Sequence, residues 1–190
     1  MMNSSRVWLF RVLTLAGAGL FLVSWSMPWW TAYVDYLHKS AVYIRPWGVD
    51  MLLQGEYAAW LPTYEMPEIF APAMWAYLGL CMAALLLSMI IVDTKRIGLG
   101  KLSLPWPTAL VLGVGFSYVV CVVVALIVMQ LRLKDFFDAP LIGSVFFRQG
   151  EVGSNIDTTL LPGYYLACVT GPVLIVLALL RKFIVGERKS

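Results

Sequence analysis

The sequence is poor in charge. Of its 190 residues, 13% are charged and 61% are hydrophobic, whereas soluble globular domains carry about 25% charged residues. A soluble domain of this size would have nowhere to bury so much apolar surface, so the composition excludes one. The net charge is only +3 and is spread along the chain, which gives no support to nucleic acid as a partner.

Residues that bind metals or carry redox chemistry are scarce. The one histidine, His38, cannot supply both axial ligands of a bis-histidine haem. The three cysteines (Cys81, Cys121 and Cys168) lie inside apolar runs and form no Cys-x-x-Cys pair, so no disulfide framework or zinc motif is expected. The sequence therefore predicts no metal site and no cofactor, and it assigns no cofactor-binding residues.

Four long apolar runs dominate the chain. They cover about 7–26, 71–92, 106–131 and 160–180, and roughly 20 residues suffice to cross ~30 Å of hydrocarbon as a helix. The middle of each run lacks Asp, Glu, Lys, Arg and His, which argues against a pump or a coupled transporter acting alone. We predict an all-α integral membrane protein, a single domain over 1–190 in which four transmembrane helices form one bundle.

Basic residues are unevenly distributed between the connections. Nine lie in the N-terminal tail and the first turns of the first run (Arg6 and Arg11), the connection after the second run and the C-terminal tail, and five lie in the two long connections, 28–70 and 132–158. Basic residues concentrate on the cytoplasmic side of membrane proteins. The distribution predicts cytoplasmic N- and C-termini, with the two long connections as outer loops.

The third run has a small residue at every fourth position from 109 to 125. Such spacing marks helix faces on which backbones approach closely in lipid, and a proline inside the fourth run predicts a kink. We interpret these faces as packing within the bundle, and the longest ridge could instead dock a partner's helix. The predicted helix-packing residues are Ala109, Gly113, Ser117, Cys121, Ala125, Gly163, Ala167, Gly171, Gly79 and Ala83, and the predicted kink is at Pro172.

The predicted outer loops are rich in aromatic residues. So many aromatics are unfavourable in water, so we expect the loops to lie on the bilayer surface or against a partner. The stretch 48–60 has helix-compatible apolar spacing and is predicted to be a short interfacial helix. The predicted contact residues are Trp29, Trp30, Trp47, Trp60, Phe136, Phe137, Phe146 and Phe147.

The layout of four spans with a large first outer loop resembles the claudin-type tetraspan arrangement. The resemblance covers topology only. Claudins carry a disulfide pair in the first outer loop, and here that loop contains no cysteine. No family is therefore assigned.

Three functions follow as hypotheses, and none of them has predicted catalytic residues. The leading one is a non-catalytic structural or accessory subunit of a larger membrane complex, such as a membrane-bound oxidoreductase or monooxygenase, with membrane lipids and other membrane subunits as partners. The weakest is an enzyme that uses an external metal at the acidic first outer loop. The alternative to the leading hypothesis is a passive channel or small-solute facilitator acting as an oligomer, with the polar lining Thr14, Ser24, Ser88, Ser117 and Thr170.

Overall fold

Four long helices form most of the computed structural model, which describes residues 4–52, 66–91, 96–99, 102–137, 140–149 and 152–185. The helices are α1 (Ser4–Ser26), α2 (Phe70–Ile90), α3 (Trp106–Phe137) and α4 (Pro162–Val185). Each is long and apolar enough to cross a membrane. The four predicted helices are therefore confirmed, although α3 and α4 extend several residues further than their apolar runs.

The described parts of the connections between the helices contain seven strands. These are β1 (Trp30–Val34), β2 (Lys39–Arg45), β3 (Gly48–Met51), β4 (Arg96–Leu99), β5 (Leu102–Pro105), β6 (Gly143–Gln149) and β7 (Val152–Leu160). Five of them build one antiparallel sheet in the order β3-β2-β1-β7-β6, and β4 pairs with β5 separately. The prediction of an all-α protein is wrong, because both long connections contribute strands to a shared sheet.

Strand β7 alternates buried and exposed positions. In β7, Ser154, Ile156 and Thr158 are buried while the residues between them are exposed, which is the two-residue period of a half-buried strand. The predicted interfacial helix over 48–60 is also wrong in its described part, since Gly48–Met51 is β3. Residues 53–60 lie outside the described residues.

The chain separates into two compact units. The helical unit comprises residues 1–23, 76–121 and 167–190, and the sheet unit comprises residues 24–75 and 122–166. The sheet unit therefore contains the five-stranded sheet together with the segments of the four helices that lead into it.

Two tryptophans form the centre of the sheet unit. Trp29 and Trp30 are each only 2% exposed. The indole of Trp29 donates to the Ser24 carbonyl at 2.9 Å and packs edge-on against Tyr164. The indole of Trp30 donates to the Leu141 carbonyl at 2.8 Å. Buried indoles need such partners, and these two bonds hold the start of β1 against the end of α1 and against the second long connection.

Strand β1 is the middle of the sheet and pairs on both sides. It runs antiparallel to β2 and to β7, with Trp30 opposite Leu160 and Val34 opposite Ile156 in the second ladder. The ladder ends with a bond from the Leu161 N–H to the Trp29 carbonyl at 2.8 Å. Hydrogen-bonded and non-hydrogen-bonded residue pairs alternate along an antiparallel ladder. Because Trp29 and Leu161 are a hydrogen-bonded pair, Val34 and Ile156, five positions further along, form a non-hydrogen-bonded pair.

A disulfide engineered across β1 and β7 tests this pairing. Cα atoms of a non-hydrogen-bonded pair are about 4.5 Å apart, and a disulfide needs about 4.4–6.8 Å. We therefore expect Val34→Cys with Ile156→Cys to form a disulfide on mild oxidation, detected as a linked peptide by mass spectrometry. The diagonal control, Val34→Cys with Thr158→Cys, should stay reduced, and equal cross-linking of both pairs would contradict the register.

Candidate functional site

In the helical unit, α3 and α4 meet at two glycines. A Cβ added to Gly115 would lie 3.0 Å from the Gly171 carbonyl oxygen and 3.0 Å from the Ile175 nitrogen. A Cβ added to Gly171 would lie 3.1 Å from the Gly115 carbonyl oxygen and 2.6 Å from a methyl group of Val119. The two backbones are therefore in direct contact, which in lipid is the principal source of attraction between helices.

Glycine also lets α4 approach α1 in the same unit. A Cβ added to Gly17 would lie 2.7 Å from a methyl group of Leu174, a residue with no exposed surface. In the sheet unit, a Cβ on Gly163 would lie 2.5 Å from the Pro28 carbonyl oxygen. Four glycines of α4 or its partner helices, Gly17, Gly115, Gly163 and Gly171, thus occupy positions that leave no room for a side chain.

The ridge predicted on α3 does not coincide with this contact. A side chain at Gly113 would meet nothing within 4 Å, while the other ridge residues, Ala109, Ser117, Cys121 and Ala125, are half-buried. The buried face of α3 instead contains Val111, Val114, Gly115, Tyr118 and Val122. Sequence reasoning missed Gly115, because α3 is apolar all round and its periodicity does not reveal which face is covered.

The small residues predicted on α4 and α2 are placed differently from one another. Ala167 and Gly171 of α4 are buried, whereas Gly79 and Ala83 of α2 are exposed, and a Cβ on Gly79 would meet nothing within 4 Å. Pro172 lies inside α4, and the predicted kink stays a prediction. One set of small residues therefore packs within the helical unit, and the other faces outward.

Two hydroxyl side chains connect α2 to α3. The hydroxyls of Tyr77 and Ser117 are 3.1 Å apart, and Ser117 donates to the Val114 carbonyl at 3.0 Å. Cys81, one turn after Tyr77 on α2, is buried. The two hydroxyls are bonded to each other, so they can hold two helices together in lipid but provide no strong acid or base.

The predicted aromatic contact residues are partly core and partly surface. Trp47 stacks on Trp75 with ring centroids 4.9 Å apart, and Phe146 is 65% exposed and covers Gly153. Trp29 and Trp30 belong to the core of the sheet unit. Trp60 and the side chains of Phe136, Phe137 and Phe147 lie outside the described residues.

No group of three or more His, Cys, Asp or Glu residues that could hold a metal occurs within the described ranges. No family model matches the chain, and no characterised protein matches it in sequence. The packing surfaces and the side-chain chemistry of the described residues are therefore the observations that bear on function.

Two glycines on α3 provide a matched test of the packing site. Gly115→Ala should lower stability by about 1–3 kcal/mol, because the added methyl group presses on backbone atoms of α4. Gly113→Ala should be neutral or stabilising by up to about 1 kcal/mol, because it only replaces glycine in a helix. Reversible unfolding in detergent measures both, and equal effects of the two substitutions would contradict the α3–α4 contact.

Proposed function

We propose that this chain is a multi-pass membrane protein with cytoplasmic termini, and that it acts as a non-catalytic structural or accessory subunit of a larger membrane complex. The proposed complex is a membrane-bound oxidoreductase or monooxygenase, in which other subunits supply cofactors and catalytic side chains. The observation that carries the proposal is the uncovered face of α2.

The uncovered face of α2 consists of small residues. Ala76, Gly79 and Ala83 are exposed on one side of the helix, and the space around Gly79 is open. In the apolar stretch of α2 that is suited to crossing a membrane, 22% of the residues are buried, which is the lowest share among the four helices. Small faces are favoured where helix backbones meet in lipid, so we assign this face to a transmembrane helix of another subunit.

The chemistry of α2 supports an accessory role. Helix α2 contains no Asp, Glu, Lys, Arg or His. The hydroxyl of Tyr77, which α2 contributes to its contact with α3, lies within hydrogen-bond distance of the Ser117 hydroxyl. Proton relays and ion-coupled transport use ionisable groups at membrane depth, and α2 offers none to the partner helix that we propose.

The passive channel or facilitator is less well supported by the same geometry. Thr14, Ser24, Ser88 and Thr170 are buried within single units. The hydroxyl of Thr14 donates to the Phe10 carbonyl and that of Ser88 to the Leu85 carbonyl. Hydroxyls that bond to their own helix backbone inside the fold are poorly placed to line a pore between copies of the chain.

Substitutions on α2 test the subunit proposal. Gly79→Leu and Ala83→Leu should leave the stability of the isolated chain unchanged but abolish co-purification of its membrane partner on native gels. The control is Gly19→Leu on α1, where the glycine is equally open but lies between the bulky exposed residues Leu15 and Val23. A homo-oligomer, or equal loss with Gly19→Leu, would contradict the proposal.

Orientation can be tested separately by labelling introduced cysteines. An impermeant maleimide added to intact cells should label Lys39→Cys and Asn155→Cys, both exposed positions of the sheet unit. It should label Ser4→Cys and Ser190→Cys only after permeabilisation, because the basic connections favour the cytoplasm. The reverse pattern would overturn the assignment of sides.

A further inference from the structure

The turn between β2 and β3 is fixed to the ends of two helices. It consists of Pro46 and Trp47, with Arg45 as the last residue of β2. The Arg45 guanidinium donates to the carbonyl of Ser26, the last residue of α1, at 2.7 Å. The Trp47 ring packs on Trp75 near the start of α2. These contacts lie within the sheet unit and place the turn beside both helix ends.

The position of Trp75 within α2 sets a depth for this cluster. The helix has 21 residues and is therefore about 31 Å long, close to the ~30 Å thickness of the hydrocarbon layer. Trp75 is five residues from its first residue, about 8 Å along the axis. A helix that crosses the bilayer therefore holds Trp75 near one boundary of the hydrocarbon. Because the two ring centroids are 4.9 Å apart, Trp47 lies at nearly the same depth.

The charges beside the two rings suit the same boundary. The Arg45 Nε is 2.6 Å from a carboxylate oxygen of Asp50, and both side chains are partly exposed. The guanidinium also lies 5.6 Å from the centre of the Trp47 ring. An ion pair has no net charge, so it remains solvated at the headgroup level without requiring anionic lipid. Tryptophan rings, which combine an apolar body with a polar N–H, favour that level.

We propose that the β2–β3 turn is a membrane-surface anchor, in which Trp47 and Trp75 insert together at the boundary between the hydrocarbon and the phospholipid headgroups, with the Arg45–Asp50 pair at the headgroup level. The anchor attaches the five-stranded sheet to the bilayer on the side where α1 ends and α2 begins. It depends on the rings rather than on net charge, so it operates in purely zwitterionic phospholipid. The proposal rests on α2 crossing the bilayer, as the proposed function requires.

Spin labels at three positions of the full chain in phosphatidylcholine vesicles test the anchor. The native cysteines are first replaced by Cys81→Ser, Cys121→Ala and Cys168→Ala, with circular dichroism to check the fold. Gly48→Cys places a label beside the turn, where a Cβ meets nothing within 4 Å. Lys39→Cys labels the far end of β2, about 20 Å away along the strand. Leu80→Cys labels the exposed surface of α2, since Leu80 is 72% exposed.

Collision with oxygen, compared with collision with a water-soluble nickel chelate, reports the depth of each label. We expect the Leu80 label deep in the hydrocarbon, the Gly48 label at headgroup level and the Lys39 label in water. Adding Trp47→Ala should shift the Gly48 label to the accessibility of the Lys39 label.

If the Gly48 label is in water while the Leu80 label is deep in the hydrocarbon, the anchor is wrong and the membrane span stands. A Leu80 label in water overturns the membrane span and the anchor together. Insertion that appears only when anionic lipid is added also overturns the anchor, because charge would then drive it.

Discussion

The ladder between β1 and β7 is the interaction on which the sheet unit depends. Strand β1 begins four residues after α1 ends, and β7 ends two residues before α4 begins. Backbone hydrogen bonds between β1 and β7 therefore hold the end of α1 close to the start of α4. The remaining strands extend this pair on either side, β2 and β3 next to β1, and β6 next to β7. The buried indoles of Trp29 and Trp30 stabilise the start of β1, since the N–H of each indole donates to a backbone carbonyl.

The helices were predictable from sequence, and the sheet was not, for a physical reason. A helix that is long and apolar enough to cross a membrane, such as α2, satisfies its own backbone hydrogen bonds and is visible in the sequence as a single long apolar run. A strand needs a partner. Strand β1 pairs locally with β2, but its other partner, β7, lies about 130 residues further along the chain. Short strands such as Trp30–Val34 carry few alternating positions, and here the central strand is buried at nearly all of them. Trp29 and Trp30 were therefore predicted as contact residues of an outer loop, whereas both lie in the core of the sheet unit.

The small residues illustrate a second limit of sequence reasoning. Four-residue spacing identified Gly171 and Gly163, which leave no room for a Cβ, but it also selected Gly79 and Gly113, around which space is open. Gly115 belongs to the contact and was missed. Four-residue spacing shows which helix face carries small side chains. Which face is covered depends on the bulky neighbours, such as Val111 and Tyr118, which are buried together with Gly115. The faces of small residues that stay open, such as the one around Gly79, are the ones that the proposed function assigns to another subunit.

The distant pairing of β1 has a consequence for how the protein is made. Ribosomes add about 5–20 residues per second, so roughly 6–26 s pass between synthesis of Trp30 and synthesis of Leu160, its partner in the ladder. During that interval the hairpin of β1 and β2 has emerged but presents an unpaired edge, which is a template for wrong pairing. Completion of the sheet must therefore follow synthesis of the third helix, and a chain truncated before β7 would retain an unpaired edge on β1 that can pair with other strands.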